Sequence, residues 1–327
     1  MTPMPFRSNA LRGLLGLTAL LALSACASRA RFEIVRPAML DASPFGNTFS
    51  VQPFGGDTRA AYRIQTELEQ RIARSLNPAI QLLAGGGGII IGGGVLDHSY
   101  QEGMTSNPST CYRTETYRAP NGQVATRSVP YSCMQYTRIG RAHSAVRFTV
   151  AVASTGQIVY DRMFEDTQQR STTATNGQPA YIDGAGLLDS IVLGSVQGFA
   201  RVILPWPDSV VVTFSDCGGA DHCGDAFQAV RANDLFGAER LYTQILGPYA
   251  ENSAQVDPDD VEIVAETLFN RGIVRSYTGS YELGMQDLQR ALELQADHDD
   301  WRAELAQIET LATEQDRLRQ QMQAAGQ

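Results

Sequence analysis

Cys111 and Cys133 stand eleven residues on either side of Gly122. Between them, Pro120-Asn121-Gly122 is a strong turn signal. Both flanks are rich in Thr, Tyr, Val and Arg, as a polar two-stranded ribbon would be. A hairpin turning near Asn121-Gly122 brings the two cysteines roughly opposite each other, so a disulfide is expected there. Closing a loop of this length is worth ~3 kcal/mol in the chain-entropy model. That term matters because a lone polar hairpin is marginal in water. Pro130 has no N–H to offer a neighbour, which places its strand at an edge.

The second pair, Cys217 and Cys223, brackets Gly218-Gly219-Ala220-Asp221-His222, and the glycines permit the tight loop of a local disulfide over 215–224. A metal site built from Asp216, Cys217, His222 and Cys223 is the alternative, although C-x-x-C spacing is missing. Disulfides imply an oxidising compartment, and the N-terminus supplies a route to one. Arg7 and Arg12 precede Leu14 to Ala25, a 12-residue apolar run. That is too short for a bilayer core of ~30 Å and reads as the h-region of a secretory signal over residues 1–25.

The run ends in Leu23-Ser24-Ala25-Cys26, which resembles the lipobox of bacterial lipoproteins. The resemblance implies cleavage before Cys26, a diacylglycerol on its sulfur, an acyl group on its amine, and a lipid-anchored linker over 26–31. Ala27 and Ser28 follow where an aspartate would retain such a protein at the inner membrane, so the resemblance implies the periplasmic face of the outer membrane. Several acyl chains anchor stably where one is marginal. Losing Arg7 and Arg12 takes the formal charge from −9 to −11. So acidic a chain, with no basic run, is a poor candidate for general nucleic-acid binding.

All 26 basic residues are arginine. No Walker A or kinase lysine, Schiff base, PLP lysine or Ser-x-x-Lys acyl enzyme can be built from this chain. The four histidines, His98, His143, His222 and His298, are too scattered for an H-E-x-x-H zinc site. His143 with Ser144, and His222 beside Asp221, lack a G-x-S-x-G elbow or triad context. Asp297-His298-Asp299-Asp300 reads as the junction and cap between two helices. No catalytic residue, metal site or cofactor is assigned, and a non-enzymatic role is favoured.

Residues 32–214 read as an α+β domain with a mixed or mainly antiparallel sheet and packed helices. Strands are expected at 32–35 and 48–54, and a helix from about 59 to 75, capped by Thr58. Ala61, Ile64, Leu68, Ile72 and Leu76 form its apolar face, and Pro78 ends it. Gly85–Gly88, Ile89–Ile91 and Gly92–Gly94 read as a loop into a buried strand. The glycines there let backbones approach closely. No lysine or helix follows as a phosphate loop requires. Strands at 145–153 and 157–165 form a hairpin around Ser154-Thr155-Gly156. Residues 171–179 read as a polar surface loop, 187–204 as an apolar helix stopped by Pro205-Trp206-Pro207, and 209–214 as a last strand. Phe49–Phe54, the 61–76 helix and Ile91-Gly92-Gly93-Gly94-Val95 leading into a strand that ends at Glu102 resemble a known domain. It is the α/β domain of outer-membrane lipoproteins related to the curli-secretion channel subunit and to the lipoprotein activator of penicillin-binding proteins. Residues 112–132 lack the apolar/polar alternation of lipid-facing strands.

Residues 225–327 contain an internal repeat. Asn233-Asp234-Leu235-Phe236-Gly237-Ala238 with Tyr242 and Ile245-Leu246 matches Gly279-Ser280-Tyr281-Glu282-Leu283-Gly284 with Leu288 and Ala291-Leu292. This resembles the tetratricopeptide repeat. Ala226 or Gly272 takes the small position of the first helix, and Ala238 or Gly284 that of the second. Arg275 stands where the family often has an aromatic. The units start 46 residues apart against ~34 in the family. The excess falls in 247–260, an inserted loop. A last helix over 299–322, bearing Trp301, Leu305, Ile308, Leu311, Leu318 and Met322, would cap an all-α helical-hairpin domain.

These readings lead to a lipid-anchored periplasmic scaffold or adaptor. It would hold envelope proteins or peptides through its repeats, with membrane contact through acylated Cys26 and scope for self-association. An oligomeric export component resembling the curli channel is the second expectation, and an envelope hydrolase the third.

Overall fold

The computed structural model describes residues 28–247 and 256–323. The expected signal peptide and the lipidation residue Cys26 lie outside the described residues. So does most of the loop inserted between the two helical repeats. The chain divides into two compact units, one containing 37–206 and 317–323, the other 28–36 and 207–316.

The first unit is built on a mixed five-stranded sheet in the order β3-β2-β4-β5-β6. The strands are β2 (Thr48–Val51), β3 (Gln81–Leu82), β4 (Ile89–Arg118), β5 (Val124–Val152) and β6 (Ile158–Thr175). β2 runs parallel to β3 and β4, while β4, β5 and β6 are antiparallel. Ile89, Ile91, Val146, Phe148 and Val150 point into one core. Helices α1 (Thr58–Ala73) and α2 (Gly184–Ile203) contribute to that core. α1 gives Ala61, Ile64, Leu68 and Ile72, and α2 gives Val192, Val196 and Phe199. Phe148 stacks on Phe199 at 4.4 Å between ring centroids. The side chain of Gln321 accepts from the Ala38 backbone N–H and donates to its carbonyl, tying the end of the last helix into this unit.

The glycine run does what close approach requires. A Cβ at Gly88 would meet the Phe45 carbonyl oxygen, and one at Gly93, where φ is +153°, would meet that of Arg147. An extra residue, Leu96, shifts the β4–β5 register between Val95 and Asp97, making a β-bulge.

Several expectations need correction. α1 is capped by Asp57, whose carboxylate accepts from Ala60 N–H, in place of Thr58. The helix ends at Ala73, because Ser75 and Asn77 side chains take the following backbone N–H groups and turn the chain away. Leu76 is therefore off the apolar face and 49% exposed. The expected loop over 171–179 is strand as far as Thr175. Its β-branched threonines pair with the β5 stretch from Gln135 to Ile139, and polarity alone misread them. The strand expected to stop at Glu102 continues unbroken to Arg118.

In the second unit, β1 (Ser28–Arg36) and β7 (Trp206–Phe214) form a two-stranded sheet. The helices are α3 (Cys223–Arg231), α4 (Leu235–Leu246), α5 (Val261–Tyr277), α6 (Tyr281–Leu294) and α7 (Asp299–Gln323). The assignment of β1 and β7 to the 32–214 domain is thus corrected, as is the all-α character of the C-terminal part. The cause is burial: Ala30, Phe32, Val212 and Phe214 share a core with Ala226, Tyr242, Phe269, Leu288 and Trp301. The linker expected over 26–31 is also shorter, since Ser28 already lies in β1. Along α7, Trp301, Ile308, Leu311 and Leu318 are buried, Leu305 is half-buried, and Met322 is exposed.

Candidate functional site

Both disulfides are formed, Cys111–Cys133 with Cα atoms 5.8 Å apart and Cys217–Cys223 with 6.1 Å. Such bonds belong to oxidising, extracytoplasmic compartments. They also remove the alternative metal site, because an oxidised pair offers no thiolate. Among the described residues no group of three or more His, Cys, Asp or Glu side chains is placed to hold a metal ion.

The histidines considered for hydrolysis are separated by strand alternation. His143 faces Thr167, with Nδ1 at 3.0 Å from Oγ1, and lies 3.5 Å from Asp97 and 3.8 Å from Glu165. Ser144 points the other way, fully buried, donating to the Asp97 carbonyl and 3.3 Å from His98 Nδ1. His222 meets Asp225, not Asp221, at 3.2 Å. His298 stacks on Trp301.

The matched repeat residues come together as helix-packing positions. Ala226, Ala238, Tyr242 and Ala291 are fully buried. Gly272 and Gly284 face each other: a Cβ on Gly272 would lie 2.8 Å from the Gly284 carbonyl oxygen, and one on Gly284 2.7 Å from that of Gly272. The turns before α4 and α6 use equivalent left-handed residues, Asn233 at φ 60° and Gly279 at φ 94°, and Tyr281 begins α6 half-buried. Sequence reasoning missed the buried charges that lock α4, α5 and α6. Asp287 accepts two bonds from Arg271 (2.8 and 2.7 Å) and one from Arg275 (2.9 Å), which also reaches Glu239 at 2.8 Å. Arg275, noted only as a departure from an aromatic, is a clamp between helices. Charged residues at buried positions of otherwise apolar helix faces were the available signal.

One face of each of α3, α5 and α7 is turned toward the β1–β7 sheet. Phe227 of α3 packs on Phe214, and Tyr277 of α5 stacks on Phe32 at 4.1 Å. Asn270 of α5 exchanges hydrogen bonds of 2.9 Å with the Ser215 backbone. Gln315 of α7 donates to the Val35 carbonyl, and Glu314 pairs with Arg36. The chain's own strands therefore cover one face of each of these helices.

The outer part of the β4–β5 ribbon is mostly exposed. Beyond the Gln135–Thr175 pair, β5 has no β6 partner, and β4 pairs with β2 only over Ile89–Ile91. From Asn107 to the turn, the ribbon stands alone for about 40 Å at ~3.3 Å per residue. Its two faces differ. One carries the disulfide, Arg113 and Arg127 bonded to Glu115, and guanidinium–ring contacts to Tyr131 and Tyr117. These two arginines, Arg127 foremost, hold the Glu115 carboxyl below its ordinary range. The other face continues the helix-covered side of the sheet: in β5 the alternation runs from Phe148, Val146, Ser144 and Ala142 onward to Ser132, Pro130 and Ser128. Beyond the Arg138–Glu102 ion pair, this face bears no charge over Met104–Thr116 and Val124–Tyr136. Met104, Tyr112 and Val124 there are 59%, 69% and 69% exposed.

No family model and no curated protein matches the chain. Among solved structures, a PelC dodecamer from Paraburkholderia phytofirmans aligns over 54% of this chain and 97% of that chain at 11% identity, with a TM-score of 0.26. A second PelC dodecamer from the same organism covers 54% and 99% at 10% identity, with a TM-score of 0.25. At these scores the likeness indicates neither family nor function.

Proposed function

We propose that this is a lipid-anchored scaffold protein of the bacterial envelope, held through acylated Cys26 at the periplasmic face of the outer membrane, and that it contacts its partner through the stapled ribbon. One observation carries the reading: the side of the sheet that helices cover continues along the ribbon uncovered, with no charge between the Arg138–Glu102 pair and Arg118 at the tip. A polar ribbon that buries so little adds little to folding, and a disulfide keeps it in order. Such a face suits a docking protein better than a catalyst. In this reading the helical hairpins α3–α4 and α5–α6 are tetratricopeptide-like, and a peptide seated on their inner faces would first have to displace β1 and β7. The ribbon's two unpaired edges also favour a second reading, self-association into an export assembly, because free edges are templates for pairing.

The test uses a photoreactive residue at position 112 in the native envelope. Amine-reactive reagents cannot couple lysine side chains in this chain. A discrete adduct from position 112, absent from position 113 on the opposite face, is expected. An adduct of twice the chain's own mass selects the self-association reading. No adduct, or the same adduct from both positions, sinks the ribbon as a docking surface.

A further inference from the structure

The point where β1 begins has a second consequence. Ser28 is the first residue of β1, and only Ala27 separates it from Cys26. With ~3.8 Å between consecutive Cα atoms, Ser28 lies within about 8 Å of the anchor residue. β1 has no freedom to pay out more chain, because Ala30 and Phe32 are buried in the helical core. Whatever surrounds Ser28 must therefore sit at the level of the lipid headgroups.

A cavity of about 500 Å³ surrounds it, lined by Ser28, Arg29, Asp216, Gln228 and Arg231 among others. Arg29, Gln228 and Arg231 are exposed at its rim. Neither arginine pairs with a carboxylate among the described residues, in contrast to Arg36, Arg271 and Arg275 of the same unit. Asp216, the acid in the cavity, neighbours Glu266, whose carboxyl is pushed up to about 7, chiefly by burial and further by the nearby Asp216. In a chain of strong net negative charge, two unpaired guanidiniums at one opening beside the anchor call for an anion that arrives with the membrane.

Resting on the lipoprotein reading above, we infer that this cavity seats the phosphate of an anionic phospholipid through Arg29 and Arg231. Anchor and headgroup then hold the helical unit against the bilayer at two points. Each arginine near an anionic surface contributes about a fivefold change in occupancy.

The test separates the seat from native acylation. The mature chain, whose other four cysteines are in disulfides, is coupled through Cys26 to a maleimide-bearing lipid. The vesicles are phosphatidylcholine with or without phosphatidylglycerol. A photoreactive residue at position 228 should form a phosphatidylglycerol adduct, and one at position 282 on α6 should form none. Arg29→Gln and Arg231→Gln should each lower the adduct about fivefold without changing the melting curve, while Arg29→Lys should largely keep it. The inference is overturned by equal adduct from both positions, by yields indifferent to phosphatidylglycerol, or by yields indifferent to both substitutions. Loss of the adduct to millimolar inorganic phosphate would also overturn it, in favour of a soluble anion. The mass of the protein extracted from its native envelope tests acylation separately.

Discussion

The helical unit and the β4–β5 ribbon keep polar residues in order by opposite means. In the helical unit, Arg271 and Asp287 are nearly fully buried and hold each other through two short bonds. In the ribbon, Arg113, Glu115 and Arg127 lie in the open, where ion pairs contribute little, and the covalent staple supplies the order. The difference shows which region is free to change. A buried network constrains every neighbour, whereas a stapled ribbon can alter its surface without endangering a core.

Four changes to the chain test that contrast. The largest effect is expected from Asp287→Ala, which leaves the Arg271 guanidinium buried without its partner. A loss of about 3–5 kcal/mol is expected, read as a lower urea midpoint, and an unchanged midpoint would remove the network from the account. Next comes the double change Cys111→Ser and Cys133→Ser. It should cost about 3 kcal/mol of ribbon order, visible as faster amide exchange over residues 107–118, while the unfolding of the helical unit stays put. If both regions loosen together, the ribbon is not independent. A smaller effect concerns pH. Burial pushes the Glu304 carboxyl up to about 7. The folded state therefore binds a proton that the unfolded state has released, and stability falls as pH rises from about 4.5 to about 7. Glu304→Gln should remove that share and raise the unfolding free energy at pH 8 by at most about 3 kcal/mol. A pH profile of the variant superimposable on the parent would argue against it. The smallest effect is Tyr242→Phe. The Tyr242 hydroxyl is buried without a partner, so its removal should cost less than about 1 kcal/mol or stabilise slightly. A large loss would reveal a bond to water.

Local chemistry made much of the molecule legible. The turn at Asn121-Gly122, both cysteine pairs, the α1 and α2 faces and the small residues of the helix pairs all follow from neighbours in sequence. What escaped depends on distant partners. β1 and β7 look like any short strands, and only the burial of Phe32 and Phe214 assigns them to the helices. The unbroken length of β4 and β5 is hidden because their outer halves carry the polar residues of a loop. The face uncovered on the ribbon requires knowing how β5 alternates across the whole sheet. Arg271 and Asp287 lie 16 residues apart on successive helices, and nothing local marks them as partners.

The bulge at Leu96 decides more than a local kink. Below it, the odd-numbered residues of β4 lie opposite even-numbered residues of β5, as Val95 does opposite Val146. Past it, odd faces odd, as Cys111 does opposite Tyr131. Were Leu96 drawn into the ladder opposite Ala145, every later residue of β4 would slip by one, Cys111 would fall opposite Pro130 on the other face from Cys133, and no sulfur could cross the sheet to its mate. A single inserted leucine, exposed to solvent and some fifteen residues from the first cysteine, thus sets the parity on which the covalent closure of the ribbon depends.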